Sequence, residues 1–267
     1  MNFAFKPTRF EEEWLPIYLE SFAKQDLFTT VLYRVKGGKE ATVYCCEAHP
    51  STGLSLLAAK VYRPQKFRTM RNDALYREGT EVRDGEGKAV RDTRSHRALK
   101  KKTRFGRELK TFSWLQREYQ TMEVLHKAGA DIPQPLACSE NAVLMTYMGN
   151  ESQAAPTLHE VRLADDEAPV LFDRLLWNIT LFLVHDRIHA DLSAFNTLYW
   201  NDRLTLIDFP QTVDARTNPN AFNLLYRDIE RVCQYFGRYD VASDPLHLAE
   251  DLWKRYSLRE LVSEQAR

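Results

Sequence analysis

The 267-residue chain balances 37 Lys and Arg against 37 Asp and Glu, with 44% hydrophobic and 28% charged residues, which excludes a wholly disordered chain and allows one large domain or two lobes around a substantial core. No run approaches the roughly 18 apolar residues of a membrane span, and MNFAFKPTRFEEEW sets consecutive glutamates where a signal peptide needs its apolar centre, so a cytoplasmic protein without membrane contact is expected. Cys45 and Cys46 are adjacent while Cys138 and Cys233 stand far apart, a spacing that fits neither a zinc site nor a disulfide framework.

In chain order, a helix is expected from Phe10 to about Phe22. VLYRVKGGKEATVYCCEAHPSTGLSLLAAKVYR then reads as strand, Gly turn, strand, Pro-Ser-Thr-Gly turn, strand, from its β-branched and aromatic content and its turn punctuation. From about 63 to 110 the apolar period is lost and charge takes over, as in a loop or partly helical insert. Residues 60 to 117 hold 18 Lys and Arg against 7 Asp and Glu, so the rest of the chain is acidic, with 19 against 30. FSWLQREYQTMEVLHKAGADIP restores a helix with Phe112, Leu115, Tyr119, Met122 and Leu125 on one side, Gly129 to end it and Pro133 to prevent its resumption. Short strands follow around PLACSE and AVLMTYM. Beyond Gly149 the chain reads as mostly helical, with Leu171, Phe172, Leu175, Leu176, Ile179, Phe182 and Leu183 as the wide stripe of a buried helix and Leu225, Ile229 and Val232 marking another.

One short segment, HADLSAFNTLYWNDRLTLIDF, gathers Asp191, Asn196 and Asp208 at the edges of apolar runs. LTLID reads as a strand ending at Asp208, so the segment presents two carboxylates and an amide from a loop and hairpin. Such all-oxygen donors suit a hard cation such as Mg²⁺; on residue type alone, capping of turns by Asp191 and Asn196 is the better reading, and spacing does not settle the choice. Upstream, strand alternation in SLLAAKVYR puts Leu56, Ala58 and Lys60 on one face of a covered run. Helical spacing from Leu115, Met122 and Leu125 turns Glu118 toward the apolar side. A buried ammonium and a buried carboxylate each need a partner, and a Lys60–Glu118 pair supplies both; taken singly, Lys60 can snorkel and Glu118 can sit on the border of the stripe.

A meander Lys, a helix Glu, D-x4-N and a later Asp follow the order of parts in the protein-kinase-like fold. The chain more closely resembles the RIO family of atypical protein kinases through GKEATVY (Gly38 to Tyr44), AAKVYR, LMTYMG, HADLSAFN and LIDFPQ. That resemblance implies an α+β, two-lobe fold with a β-rich N-lobe and a mainly α-helical C-lobe. It places an N-terminal extension and N-lobe in 1–148, interrupted by the basic insert, and a C-lobe in 149–267. The short stretch before the Gly turn leaves no room for the winged-helix domain of the type two branch, so a compact, type one-like member is expected. Phe209-Pro210 stand where ordinary kinases carry Phe-Gly, and no APE-like segment follows, so the ordinary activation segment is not expected. Ala190 replaces the usual Gly before the catalytic Asp, and Lys36-Gly37 replace a hydroxyl pair in the nucleotide loop.

The resemblance implies ATP as cofactor with Mg²⁺, Mn²⁺ being an alternative, and these roles. Asp191 is the catalytic base, Asn196 and Asp208 are metal ligands, and Lys60 held by Glu118 steadies the phosphates. Backbone amides at Gly37, Gly38 and Lys39 cover the phosphates, Met145 closes the back of the adenine pocket, and the backbone of Thr146 and Met148 pairs with the base. The expected activity is a serine/threonine protein kinase acting on an unidentified protein substrate and on itself. An ATPase switch in ribosome or ribonucleoprotein maturation, with Asp208 transiently phosphorylated, and a small-molecule phosphotransferase are the alternatives. Arg97, Lys100, Lys101, Lys102 and Arg104 form a basic cluster suited to RNA or ribonucleoprotein, or to a plain solvated loop. His185 and His189 lie four apart like a helical metal pair but lack the HExxH glutamate, which argues against zinc.

Overall fold

The computed structural model describes residues 1–38, 40–63 and 103–261, with only the backbone of Phe10 and of 104–112. The described residues form two compact units: 1–38, 40–63, 103–120 and 134–154 make the first, and 121–133 with 155–261 the second.

The first unit is a six-stranded sheet in the order β1-β2-β3-β4-β6-β5, comprising β1 (Asn2–Phe3), β2 (Phe28–Gly37), β3 (Ala41–Ala48), β4 (Leu56–Tyr62), β5 (Pro135–Cys138) and β6 (Ala142–Thr146). The expected meander is β2-β3-β4. Its two turns are chemically specified: Gly38 N–H donates to the Ala41 carbonyl at 2.8 Å, and a Cβ at Gly38 would come within 3.0 Å of that oxygen, so only glycine fits there without movement. Gly53 closes the second turn at φ 69°. The added edge strand β1 runs parallel to β2, Asn2 opposite Thr30; two residues are too short for a periodic signal in the sequence.

Helix α1 (Arg9–Lys24) begins at a capping box in which Thr8 and Glu11 satisfy each other's backbone N–H groups. It buries Leu15, Leu19 and Phe22 in one core with Phe28, Val31, Tyr44, Leu57, Val61 and Leu144 of the sheet. Glu11, the polar residue in this contact, receives the Tyr44 hydroxyl at 2.6 Å. Burial opposes its ionisation, but the hydrogen bonds from Tyr44 and Thr8, with Arg34 nearby, outweigh it and hold the carboxyl below the usual glutamate range.

Helix α2 (Arg104–Lys127) starts inside the stretch read as charged insert. That reading allowed partial helix, and Arg, Glu, Leu and Lys are good helix formers without an apolar stripe; residues 64–102 lie outside the described part. Gly129, at φ 89°, follows its end.

The second unit is helical around small strand pairs. Helices α3 (Glu167–Val184), α4 (Ala221–Phe236) and α5 (Pro245–Ser257) supply its core, and Leu171, Phe172, Leu175, Ile179, Phe182 and Leu183 are buried as their spacing predicts. Leu176 is only half-buried, at the stripe's margin. Strands β7 (Arg187–Ile188) and β10 (Val213–Asp214) pair antiparallel, as do β8 (Thr197–Trp200) and β9 (Arg203–Leu206). Asn201 and Asp202 join β8 to β9 with φ of 49° and 61°, the doubly left-handed two-residue turn that matches strand twist. The strand expected to end at Asp208 ends at Leu206. The Ile207 N–H closes the ladder on the Asn196 carbonyl at 3.0 Å, and Asp208 turns out at φ 73°, which no strand can continue. Among the described residues, no helix is long and apolar enough to cross a membrane.

Candidate active site

In the first unit the sheet register sorts the nucleotide-side candidates onto one face. Lys60 lies opposite Val43 of β3 and Val143 of β6; two residues earlier, Ala58 lies opposite Cys45 and Met145. Since side chains alternate along a strand, Lys60 and Met145 share that face. Lys60 Nζ meets Glu118 Oε1 at 2.6 Å, with the two side chains only 11% and 1% exposed. The other Glu118 oxygen accepts the Tyr62 hydroxyl at 2.5 Å, and Lys60 Nζ sits 5.3 Å from the Tyr62 ring, whose edge packs on Trp114. Tyr62 was not singled out from the sequence, although alternation from Lys60 puts it on the same face. Its hydroxyl supplies the hydrogen bond that the second oxygen of a buried carboxylate needs.

The other candidates of this unit flank that centre. Gly37 is exposed next to the tight Gly38 turn, and Lys39 lies outside the described residues. Met145 is 8% exposed. The Thr146 N–H donates to the Gln134 carbonyl at 2.9 Å, so the carbonyl is the group Thr146 can offer a base. Met148 is half-buried in the connector beyond β6. The Tyr33 and Tyr147 hydroxyls meet at 2.9 Å, tying β2 to the same connector. An open groove of about 650 Å³ beside it is lined by Leu54 to Leu56 and by Thr146, Tyr147 and Gly149 to Ser152. Lys60, Glu118 and Met145 lie outside that groove, and no role attaches to it.

In the second unit Asn196 directly precedes β8 and Asp208 follows β9 by two residues, so the hairpin register brings both to one end of the pair. The Asn196 amide N–H₂ donates to the Asp191 carbonyl at 2.9 Å and to Asp191 Oδ2 at 3.3 Å, which leaves its amide oxygen as the acceptor. Asp208 is exposed. Two oxygen donors, with phosphate and water completing the shell, fit Mg²⁺ and suit neither a zinc nor a copper site. His189 is buried, bonded to the Ile207 carbonyl at 3.0 Å and packed on Phe209, and so joins the Asp191 loop to the Asp208 segment. His185 caps α3.

The loop is held from α4 by residues that the sequence alone did not reveal. Asp228, 2% exposed, accepts the backbone N–H of Ala190 at 2.6 Å and of Leu192 at 2.9 Å; Arg227 donates to the Ala190 carbonyl, and Arg231 reaches Asp191. A carboxylate within the α4 pattern gives no hint that its partners are backbone groups, so only the interval R-D-x-x-R carries a signal. The same grip explains how Ala190 stands where glycine is usual: its φ is 67°, a left-handed conformation that costs an L-residue roughly 1–2 kcal/mol. Replacing Ala190 with Gly should raise stability by up to about 1 kcal/mol once glycine's greater unfolded freedom is subtracted, a gain readable by urea denaturation.

Burial pushes the Asp228 carboxyl up to about 7 against the lowering effect of its two N–H donors. Because the folded value lies above the unfolded one, this group's contribution to stability is full below the ordinary aspartate range and is lost as pH rises through about 7. Thermal melts of wild type and Asp228→Asn from pH 5 to 8 should therefore show the wild-type advantage shrinking with rising pH. Phe195, 55% exposed and tilted against the His159 ring with centroids 4.0 Å apart, is a further unforeseen feature of the loop.

A β-sheet unit with a buried Lys–Glu pair and a helical unit carrying D-x4-N and a following Asp define a kinase-like protein. Residues 55–247 match the RIO domain family, and the chain belongs to that family, as a RIO-type kinase. It is 30% identical over 142 residues to the RIO-type serine/threonine-protein kinase Rio1 of Thermoplasma acidophilum, covering 53% of this chain and 73% of that one. Serine/threonine-protein kinase RIO1 of Caenorhabditis elegans is 25% identical over 82% of this chain, which spans 41% of its length. Human RIO1 is 29% identical over 49% of this chain, which spans 23% of that protein. A solved Rio2 kinase complex with ADP, Mg²⁺ and phosphoaspartate from Chaetomium thermophilum superimposes with a TM-score of 0.62 at 20% identity, covering 94% of this chain and 70% of the other, and shows the shared two-lobe fold.

Proposed function

We propose that the chain transfers the γ-phosphoryl group of ATP to a Ser or Thr hydroxyl in an Mg²⁺-dependent reaction, and that it phosphorylates itself. The observation that carries this reading is the pairing of Lys60 with Glu118: a buried ammonium fixed by a carboxylate and a tyrosine, on the sheet face it shares with Met145, is a preorganised partner for phosphate oxygens. Lys60 would neutralise phosphate charge, and the backbone around Gly37, Gly38 and Lys39 would cover the phosphates. The backbone of Thr146 and Met148 would read the adenine against Met145. Asn196 and Asp208 would hold Mg²⁺, with Mn²⁺ able to substitute; the metal neutralises charge on the phosphates. Asp191 would take the proton of the attacking hydroxyl as its oxygen bonds to the γ-phosphorus and the bond to the ADP oxygen breaks.

A second reading, as an ATPase switch in ribonucleoprotein assembly, draws on the phosphoaspartate named for the Chaetomium structure and would place a transient phosphate on Asp208. Incubation with γ-labelled ATP and Mg²⁺ separates the readings. Acid-stable, hydroxylamine-resistant label on Ser or Thr supports the kinase. Label that is lost in neutral hydroxylamine and returns as free phosphate supports the switch, and label on an added small alcohol alone overturns both.

Arg97, Lys100, Lys101 and Lys102 lie outside the described residues, and Arg104 is the first residue of α2. A cluster of five cations in this segment suits an RNA or ribonucleoprotein partner. Changing all five to Gln should weaken RNA binding and flatten its dependence on salt by roughly one unit of log-log slope per lost phosphate contact. ATP affinity should be preserved. An unchanged slope in a filter-binding salt series would leave the segment a solvated loop.

A further inference from the structure

We infer that Arg231 is a positioning residue for phosphoryl transfer, holding the Asp191 carboxylate correctly turned. The inference rests on the reading of Asp191 as the base. Arg231 Nη1 donates to Asp191 Oδ1 at 2.8 Å, and Asn196 Nδ2 reaches Oδ2 at 3.3 Å, so each oxygen of the carboxylate has its own donor. Arg231 stands one helical turn beyond Asp228 on α4. Arg227 and Asp228 take the backbone on either side of Asp191 through the Ala190 carbonyl and the Ala190 and Leu192 N–H groups, while Arg231 takes the side chain. Backbone and side chain of the loop are thus referenced to one rigid helix, the arrangement by which a supporting residue fixes the aim of a reacting group.

The two side chains are 36% and 34% exposed. A pair so open to water contributes little to fold stability, so its loss should be read in rate and not in melting temperature. Guanidinium is the fitting cation here because it stays charged at every working pH and its planar donors hold a carboxylate in one orientation, whereas an ammonium fixes distance alone.

The test uses the full-length protein with labelled ATP, Mg²⁺ and an accepted hydroxyl substrate. Arg231→Met should lower kcat for transfer about 10- to 100-fold, within the range that a positioned base contributes, with ADP affinity, KM for ATP and melting temperature nearly unchanged. Arg231→Lys should recover part of the loss. Ethylguanidinium added at millimolar concentration should raise the rate of Arg231→Ala and leave wild type unaffected, a response that a purely structural residue would not give. Should Arg231→Met misfold, Arg231→Lys and the rescue of Arg231→Ala decide the matter. Transfer that is unchanged or faster in a folded Arg231→Met, alongside an inactive Asp191→Asn, overturns the inference and leaves the pair a bystander or a brake. Full transfer by Asp191→Asn overturns the reading of Asp191 itself.

Discussion

Asp191→Asn should abolish transfer to a hydroxyl while ADP and Mg²⁺ still bind, and Asp208→Ala should lose the Mg²⁺-dependent part of nucleotide binding. The two carboxylates share a loop-and-hairpin segment but meet different surroundings. Asp191 is clasped by Arg231 and Asn196, a setting that fixes one orientation of its carboxyl group. Asp208 is exposed on a left-handed residue just past β9, at the hairpin end where Asn196 directly precedes β8. A base contributes roughly 10²- to 10⁴-fold to a rate and nothing obligatory to ground-state affinity, whereas a metal ligand acts first on binding. Calorimetry with ADP, with and without Mg²⁺, and labelled transfer on the same preparations separate the two effects. Equal loss of Mg²⁺-dependent binding in both variants would mean that the roles are not divided this way.

Lys60→Met and Glu118→Gln should each cut activity at least tenfold, and their effects on stability should be strongly non-additive. Removing one member of a buried pair leaves the other charge uncompensated at a cost of roughly 3–5 kcal/mol. Tyr62 moderates this for Glu118, whose second oxygen keeps the phenolic donor, so Lys60→Met should cost less than a bare orphaned carboxylate would. In a double-mutant cycle read by urea denaturation, a coupling of about 1–3 kcal/mol is expected. Additivity within about 0.5 kcal/mol would contradict the 2.6 Å contact. Tyr62→Phe in the Lys60→Met background should then expose the remaining cost on Glu118.

The first half of the site was legible because two periodicities converge on it. Strand alternation sets Lys60 beside Ala58, the α2 stripe turns Glu118 inward, and burial obliges each charge to find a partner. The β2-β3-β4 meander was legible for a related reason: its turns need Gly38 and Gly53, and its strands are dense in β-branched and aromatic residues. The α4 grip was not legible, because the partners of Asp228 are backbone N–H groups and backbone carries no residue identity. The end of β9 was misplaced by two residues because Ile207 and Asp208 continue the apolar-then-polar pattern, while the chain actually leaves the ladder when Ile207 bonds back to Asn196. Strand β1 escaped notice because its pairing with β2 is parallel and only two residues long.

In the proposed function Asn196 and Asp208 would hold the metal of a nucleotide whose phosphates Lys60 would neutralise. A crystal structure of the protein with a non-hydrolysable ATP analogue and Mn²⁺, with anomalous data at the manganese edge, tests it most directly. The expected result is an anomalous peak bound by the Asn196 amide oxygen, the Asp208 carboxylate and phosphate oxygens, with Lys60 Nζ on the α- or β-phosphate. Nucleotide bound with its metal away from Asn196 and Asp208, or with Lys60 still directed only at Glu118, would contradict it.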